Sequence, residues 1–516
     1  MSHISDGAPV TPEQSIPWVI GAVAVTLLLA SLNQTIVSPA LPVIVGELGG
    51  LDHLTWVITA YLLAATVVAP IYGKLGDLFG RKRVLQAAIL IFLAGSAICG
   101  LAGNMLTLIV GRTIQGLGGG GLMVVAMSVV ADVIPPRQRG RIQGIFGAVF
   151  GIATIVGPLL GGFLVETTSW HWIFAANLPL GLLALGVISA ALKVHPERRR
   201  HSIDYAGAVL LTTTLSAMVL FTSLGGTTIA WASWQSIGLV LLAIAALIGF
   251  VAVEARAKEP ILPLSLFRNN VFVVSNAVGF IVGLAMFGCV TFLPLYMQTV
   301  QGVSPTNSAF AVLPMMMGMI ASSLVAGVVM TRTGRYKLLP IVASASLFIG
   351  LMLLTTIGTE TSPVMVGVYM LLVGMGIGPV NSVSVTAIQN AVPYNMVGVG
   401  TAGATLFRQI GGSVGVSAFG AIFAAGLAAN LAGSASEGHA MSAAAIAQLP
   451  PAERSLVLEG FVSALHPVFL VAGIAAALAF IIAMFLREVP LANTLRREPE
   501  SEIEAEEHAT AAAVGG

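Results

Sequence analysis

Two arginines stand inside long apolar runs of this 516-residue chain, Arg112 in GRTIQGLGGGG and Arg408 in LFRQIGGSVG. An ionised guanidinium in hydrocarbon costs several kcal/mol unless it is paired or solvated, so such residues mark ion or substrate paths. Arg112 lies about 10 Å inside its run at 1.5 Å per residue, and is expected to face a central cavity rather than lipid, with Gln115 as a polar neighbour. Arg408 has no evident acid partner in sequence and could meet carbonyls, water, or an anionic lipid or substrate. Asp77 sits at an apolar–polar boundary among Arg81, Lys82 and Arg83, and Asp132 ends another apolar run. None of the 22 Asp and Glu falls deep in an apolar run, and Glu166 is the nearest candidate proton acceptor to Arg112. Asn33 can hydrogen-bond there but cannot titrate. Enzyme chemistry is not encoded: there is no CxxC, no HExxH and no nucleophile–base constellation. Cys99 and Cys289 lie in apolar runs and read as packing residues.

The elements that hold these groups follow from composition. The chain is 57% hydrophobic and 9% charged, with a mean hydropathy of +0.95. Soluble domains carry about 25% charged residues, which excludes a water-soluble fold. A net charge of +1 without a basic patch excludes nucleic-acid binding. Apolar runs of about 20 residues, the length that spans a bilayer, occur near 17–45, 54–73, 84–103, 106–130, 142–165, 172–192, 205–225, 234–253, 271–298, 307–330, 338–357, 364–387, 399–428 and 461–486. They are too long for barrel strands. The expected fold is an all-α membrane protein of fourteen transmembrane helices in a lipid bilayer. Residues 1–16 lack Lys and Arg, so the first run reads as a retained helix rather than a secretory signal. An even number of spans puts both termini on one side. If that side is the cytoplasm, all but three of the 23 Lys and Arg lie on it, the exceptions being Arg112, Arg408 and Arg454. Residues 430–460 form an outer loop in which AQLPPAERSLVLEG could carry a short amphipathic helix. Residues 487–516 form an acidic tail.

An internal echo divides the chain. Gly73, Gly80, Arg81 and Arg83 recur as Gly327, Gly334, Arg335 and Lys337 at one fixed offset, and Pro135 and Gly140 recur as Pro393 and Gly398 at another. Weak similarity between six-helix halves marks transporters built from parallel repeats. The expected organisation is a tail over 1–16, a six-helix bundle over 17–200, two inserted helices over 201–258, and a second six-helix bundle over 259–486. In GIATIVGPLLGG, Pro158 bends its helix while Gly151, Gly157, Gly161 and Gly162 form a smooth face.

Together GKLGDLFGRKR (73–83), GRTIQGLGGGG, GIATIVGPLLGG (151–162) and LNQTIVSPALPVIVGELGG (32–50) resemble the major facilitator superfamily, in particular its fourteen-helix drug:proton antiporter branch. The resemblance covers about residues 17–487. It implies a latch on the cytoplasmic side built from Gly73, Gly76, Asp77, Gly80, Arg81, Arg83 and Asp132, with Asp77 facing a helix N-terminus of the other half. It implies proton coupling through Arg112, and export rather than uptake from the 151–162 motif, which is thought to pack on the opposite half. The chain departs from the pattern at Asn33, where an aspartate is common, and at Gln138, where an acid is frequent. The implied protein is a multi-pass monomer of the plasma (inner) membrane, driven by protons without a cofactor.

The expected substrate cavity draws on Asn33, Gln34, Tyr61, Gln115, Asn381, Arg408 and Gln409 with apolar Phe292 and Met316, a lining suited to lipophilic compounds. Rival expectations are an exporter of one endogenous lipid or secondary metabolite, and an uncoupled variant that Asn33 keeps open.

Overall fold

In hydrocarbon a backbone amide has no water to bond, so each crossing segment must satisfy its own N–H and C=O groups. A computed structural model describes residues 16–49, 54–192, 204–226, 228–303, 312–431 and 450–492, and among these it contains helices and no strand beyond one isolated bridge, Gly225–Ile229. Residues 1–15 and 493–516 of the expected tails, the basic residues Lys193 and Arg198–Arg200, and most of the 430–460 loop lie outside the described residues, whereas 487–492 of the expected acidic tail is described and Tyr336 donates to the Arg487 carbonyl there.

The first half comprises α1 (Ile16–Thr35), the short α2 (Leu41–Leu48), α3 (Leu54–Phe79), α4 (Arg81–Gly100), α5 (Met105–Val133), α6 (Pro136–Thr167), α7 (His171–Ala175) and α8 (Asn177–Ala191). Then come α9 (Tyr205–Leu224) and α10 (Trp234–Glu254). The second half holds α11 (Asn270–Thr299), α12 (Leu313–Thr333), α13 (Leu338–Leu354), α14 (Pro363–Ala391), α15 (Val397–Leu431) and α16 (Pro451–Met484). Among the described residues thirteen helical spans are long and apolar enough to cross a membrane, α7 and α8 counting as one, and α13 is a shorter apolar helix of 17 residues. These are the fourteen segments expected from the apolar runs.

Their ends differ from expectation for local reasons. The run 17–45 breaks after Thr35, where a 3-10 turn at Ser38–Ala40 leads into α2. Pro39 and Pro42 lack the N–H that a continuous helix would use. α3 runs on to Phe79, so Asp77 is helical rather than part of a loop, and one residue, Gly80, separates it from α4. Gly80 has φ +86° and its echo Gly334 has φ +70°, a left-handed backbone that only glycine adopts cheaply. The sequence echo is thus an echo of two sharp helix breaks. α16 starts at Pro451, so the segment read as an amphipathic loop helix is the first part of the last span.

Each half has its own core. Phe292, Met315, Met316 and Phe469 anchor the second, and Tyr61, Phe92, Leu122 and Phe146 the first. The inserted pair lies across the seam. α9 packs on α3 and α15, and Leu211 and Leu215 join Val67, Val385 and Leu406 in one apolar cluster. Thr222 of α9 meets the Ser413 hydroxyl at 2.6 Å. α10 turns Leu241, Ile244 and Ile248 outward, as a lipid-facing helix would.

Candidate functional site

Arg112 is 1% exposed, and its guanidinium is held by oxygens and rings rather than by an acid. Nε donates to the Val57 carbonyl at 3.0 Å, Nη1 to Gln115 Oε1 at 2.6 Å and Nη2 to the Asn33 carbonyl at 3.4 Å. The Tyr61 ring lies 4.3 Å from the guanidinium carbon and Phe174 lies 5.9 Å away, a cation–π cage that keeps the charge in an apolar place. Gln115 Nε2 continues the network to Asn33 Oδ1 at 2.9 Å and Ser96 Oγ at 2.7 Å. Asn33 then forms a reciprocal amide pair with Asn177, at 2.9 and 3.2 Å, and donates to the Leu29 carbonyl at 3.0 Å. Three expected residues, Arg112, Asn33 and Gln115, are therefore brought together, with Tyr61 as a wall. Glu166 is not: it is exposed at the end of α6 and is not among the partners of Arg112. Ser96 and Asn177 went unnoticed in the sequence; a lone Asn inside the apolar run FAANLPLG was the available signal.

At the basic end of the bundle the two halves are hydrogen-bonded together. Asp77 accepts the Gly398 N–H at 2.9 Å on one carboxylate oxygen and the Val399 N–H at 3.0 Å on the other. Those N–H groups belong to the first turn of α15, where no intrahelical acceptor exists and the helix dipole is positive. Arg81 pairs with Asp77 at 3.1 Å, forms an ion pair with Asp132, and donates to the Ser128 carbonyl at 2.8 Å. Tyr394 closes the cluster by donating to Asp132 at 2.8 Å. Gly73 lies directly against Gly398; a Cβ on Gly398 would come within 2.4 Å of the Gly73 carbonyl oxygen. Gly76 has ordinary clearance, and Arg83 is exposed and outside the cluster. Lys82 instead donates to the Ser189 and Leu192 carbonyls at the end of α8. The symmetry-related corner is locked with opposite polarity: Arg137 donates to the Thr331 and Arg332 carbonyls at 2.9 and 2.7 Å.

Between those corners, α6 lies on α12 through Gly140, Gly144, Gly147 and Gly151, where added Cβ atoms would meet Met330, Ser323, Ser323 and Ile320. The expected smooth face of 151–162 is split. Gly151 faces the other half, whereas Gly157 and Gly161 lie against Thr35 and Ile36 of the same half, and Gly162 has open space. The reason is the course of α6, which crosses α12 near its start and α1 beyond Gly151, with Pro158 inside that second stretch.

A narrow void of about 30 Å³ lies between the halves, lined by Leu27 and Ser31 of α1, Met123 and Met127 of α5, Gln143, Phe146, Gly147 and Phe150 of α6, Asn381 of α14 and Arg408 of α15. Arg408 donates from Nη1 to Asn381 Oδ1 at 2.9 Å. Of the residues expected here, Asn381 and Arg408 line the cavity. Asn33, Tyr61 and Gln115 are spent in the Arg112 network, Phe292 and Met316 belong to the second core, and Gln34 and Gln409 are half-buried outside the lining. Gln143 falls at the start of the run 142–165, directly after Arg137, Arg139 and Arg141, where a polar residue reads as the boundary of a span rather than as a cavity wall.

Two bundles of six spans, a cavity between them and a seam of polar contacts are the architecture of a membrane carrier. The chain belongs to the Major Facilitator Superfamily, whose family model matches residues 23–416. It is 39% identical over 405 residues to the multidrug transporter protein MdtP of Bacillus subtilis (strain 168), covering 78% of this chain and 74% of that one. It is 33% identical over 498 residues to multidrug resistance protein 3 of the same strain, covering 93% and 97%. Among solved structures it resembles the proton:xylose symporter XylE at a TM-score of 0.62 and 16% identity, over 92% of this chain and 96% of that chain, a likeness of fold. This is a multi-pass membrane transporter, not an enzyme.

The glycine seam yields a prediction. In Gly144→Leu the side chain would enter the Ser323 carbonyl, where a Cβ alone comes to 2.8 Å. Overpacking costs about 1–3 kcal/mol. The basic end should therefore open, and a cysteine placed at Thr331 should react roughly 5–100-fold faster with an impermeant maleimide added on that side. An unchanged labelling rate would mean that the seam does not set the closed state.

Proposed function

We propose that this protein exports lipophilic small molecules across the plasma membrane in exchange for protons, by rocking its two bundles about the central cavity. The reading gives the basic end to the cytoplasm, in accord with the distribution of Lys and Arg. One observation carries it: the clasp of Asp77 on the first turn of α15, a discrete set of bonds between halves that can be made or released as a unit. The multidrug relatives support the direction of transport, and the Leu, Met and Phe side chains in the cavity lining support lipophilic cargo. The working unit is a monomer, and the proton gradient replaces any cofactor.

The Arg112 cluster favours a second reading, in which coupling is weak or absent. Asn33 Nδ2 donates to the Leu29 carbonyl as the O–H of a protonated aspartic acid would, and among the described residues no carboxylate bonds Arg112. The cluster is thus fixed in the hydrogen-bonding pattern of the protonated state. Asn33→Asp restores a group that can lose a proton beside a guanidinium. In liposomes with an imposed pH gradient, this variant should raise substrate-induced proton movement several-fold over the parent. If the parent moves protons with substrate and the variant adds nothing, another group carries the coupling. If neither moves protons while substrate still crosses, export is uncoupled.

A further inference from the structure

We infer that the central cavity is an anion site: the exported compound is an organic anion whose charged group binds Arg408, with the Gln143 amide as a second donor and an apolar body lying on Met123, Phe146 and Phe150 once the rocking of the bundles widens the narrow void. This inference rests on the export reading and names the substrate class for it.

The two intramembrane arginines differ in what remains of their binding capacity. Arg112 uses Nε, Nη1 and Nη2 within its own half and has an aromatic ring over its face. Arg408 has one described hydrogen bond, to Asn381 Oδ1, although a guanidinium offers five donors. The ion pairs among the described residues are Lys74–Glu259, Arg81–Asp77 and Arg81–Asp132, so no carboxylate answers Arg408. It lies ~16 Å along α15 from Val397, well inside the membrane span. Gln143, on the opposite wall and 3% exposed, has an amide nitrogen without a hydrogen-bond partner. Buried donors are normally matched. Here the unmatched Gln143 amide and the half-buried Arg408 guanidinium, which has donors beyond its one described bond, line the same cavity from opposite halves. A carboxylate, sulfonate or phenolate accepts from both and would hold the halves together while bound. A lipophilic cation would meet like charge with no acid in the described lining to offset it. An anion also moves outward along an inside-negative potential, so its export does not depend on a titrating acid at Asn33.

The test uses two probes that share a xanthene body and differ in charge, fluorescein and rhodamine 123. Binding is measured to the purified full chain in nanodiscs, and transport in proteoliposomes. Fluorescein should bind more tightly than rhodamine 123 and be transported. Arg408→Gln should weaken fluorescein binding by roughly tenfold or more, the loss of a charge-assisted contact, and leave rhodamine 123 unchanged or tighter. Arg408→Lys should retain most of the fluorescein affinity, and Gln143→Leu should lower it by a smaller factor, which serves if the Arg408 variants fail to fold. Stronger binding and transport of rhodamine 123, with fluorescein indifferent to Arg408, would overturn the anion site and leave export standing. Arg408-dependent binding of fluorescein without transport would keep the site and remove the export reading. Binding of neither probe would overturn the site.

Discussion

Arg112→Ala should abolish transport while the protein still inserts in the membrane. The guanidinium joins α5 to the Val57 carbonyl of α3 and the Asn33 carbonyl of α1, so it ties together three helices of the first bundle. Alanine leaves those carbonyls and Gln115 Oε1 without their donor in a place water does not reach. Hydrogen bonds to charged groups contribute about 1.5–3 kcal/mol each, so loss of even one that matters in the moving state slows turnover by about 10–100-fold. Loss of all three, with the cation–π contact to Tyr61, should reduce transport below detection. Arg112→Lys separates charge from geometry. It keeps a cation over Tyr61 but supplies one ammonium where a planar fork reached three oxygens. It should keep a small fraction of activity if the charge itself matters, and none if the fork does. The measurement is initial efflux rate at matched membrane expression, with tryptic digestion as a check on folding. Wild-type rates in Arg112→Ala would remove the cluster from the mechanism.

The sequence revealed this charge and concealed its surroundings, and the difference is physical. A lone Arg in an apolar run is visible because lipid tolerates it so poorly. Its partners are carbonyls, which every residue has, and amides such as Asn177, which lies 144 positions from Asn33 and meets it through the packing of α8 on α1. The spans were legible for the same reason as Arg112, since apolar runs of that length have one use. Their ends were not. Asp77 and Arg81 read as loop residues, yet they neutralise each other and extend helix up to and away from Gly80. Arg139 likewise sits inside α6 because its guanidinium donates to the Ala131 and Ile134 carbonyls at the end of α5. Cavity residues were the least legible. Phe292 and Met316 share composition with Met123 and Phe146, and which side of a helix meets the other half is decided by glycine contacts such as Gly144 on Ser323, not by hydropathy.

Asp77→Asn should slow turnover sharply while substrate binding stays nearly unchanged. The carboxylate uses both oxygens: one takes the Gly398 N–H and the Arg81 guanidinium, the other takes the Val399 N–H. Asparagine keeps a single acceptor and turns an NH2 toward one of the two helix N–H groups, a donor facing a donor. It also removes the negative charge that complements the helix dipole and half of what Arg81 balances. Asp132 still holds Arg81, so the local fold survives. What is lost is the bond between halves. At about 1.5–3 kcal/mol the closed basic end becomes about 10–100-fold less populated relative to the open one. Cargo would still enter and bind, because the cavity lining does not include Asp77. The cycle would stall at closure, so the maximal rate falls and the half-saturating concentration barely moves. A cysteine at Thr331 would report the same change as faster labelling from the basic side, since Arg137 bonds the Thr331 carbonyl in the companion corner. The two corners are then one switch. Asp77→Asn should loosen both, and labelling at Thr331 that stays slow while turnover falls would show that they open separately.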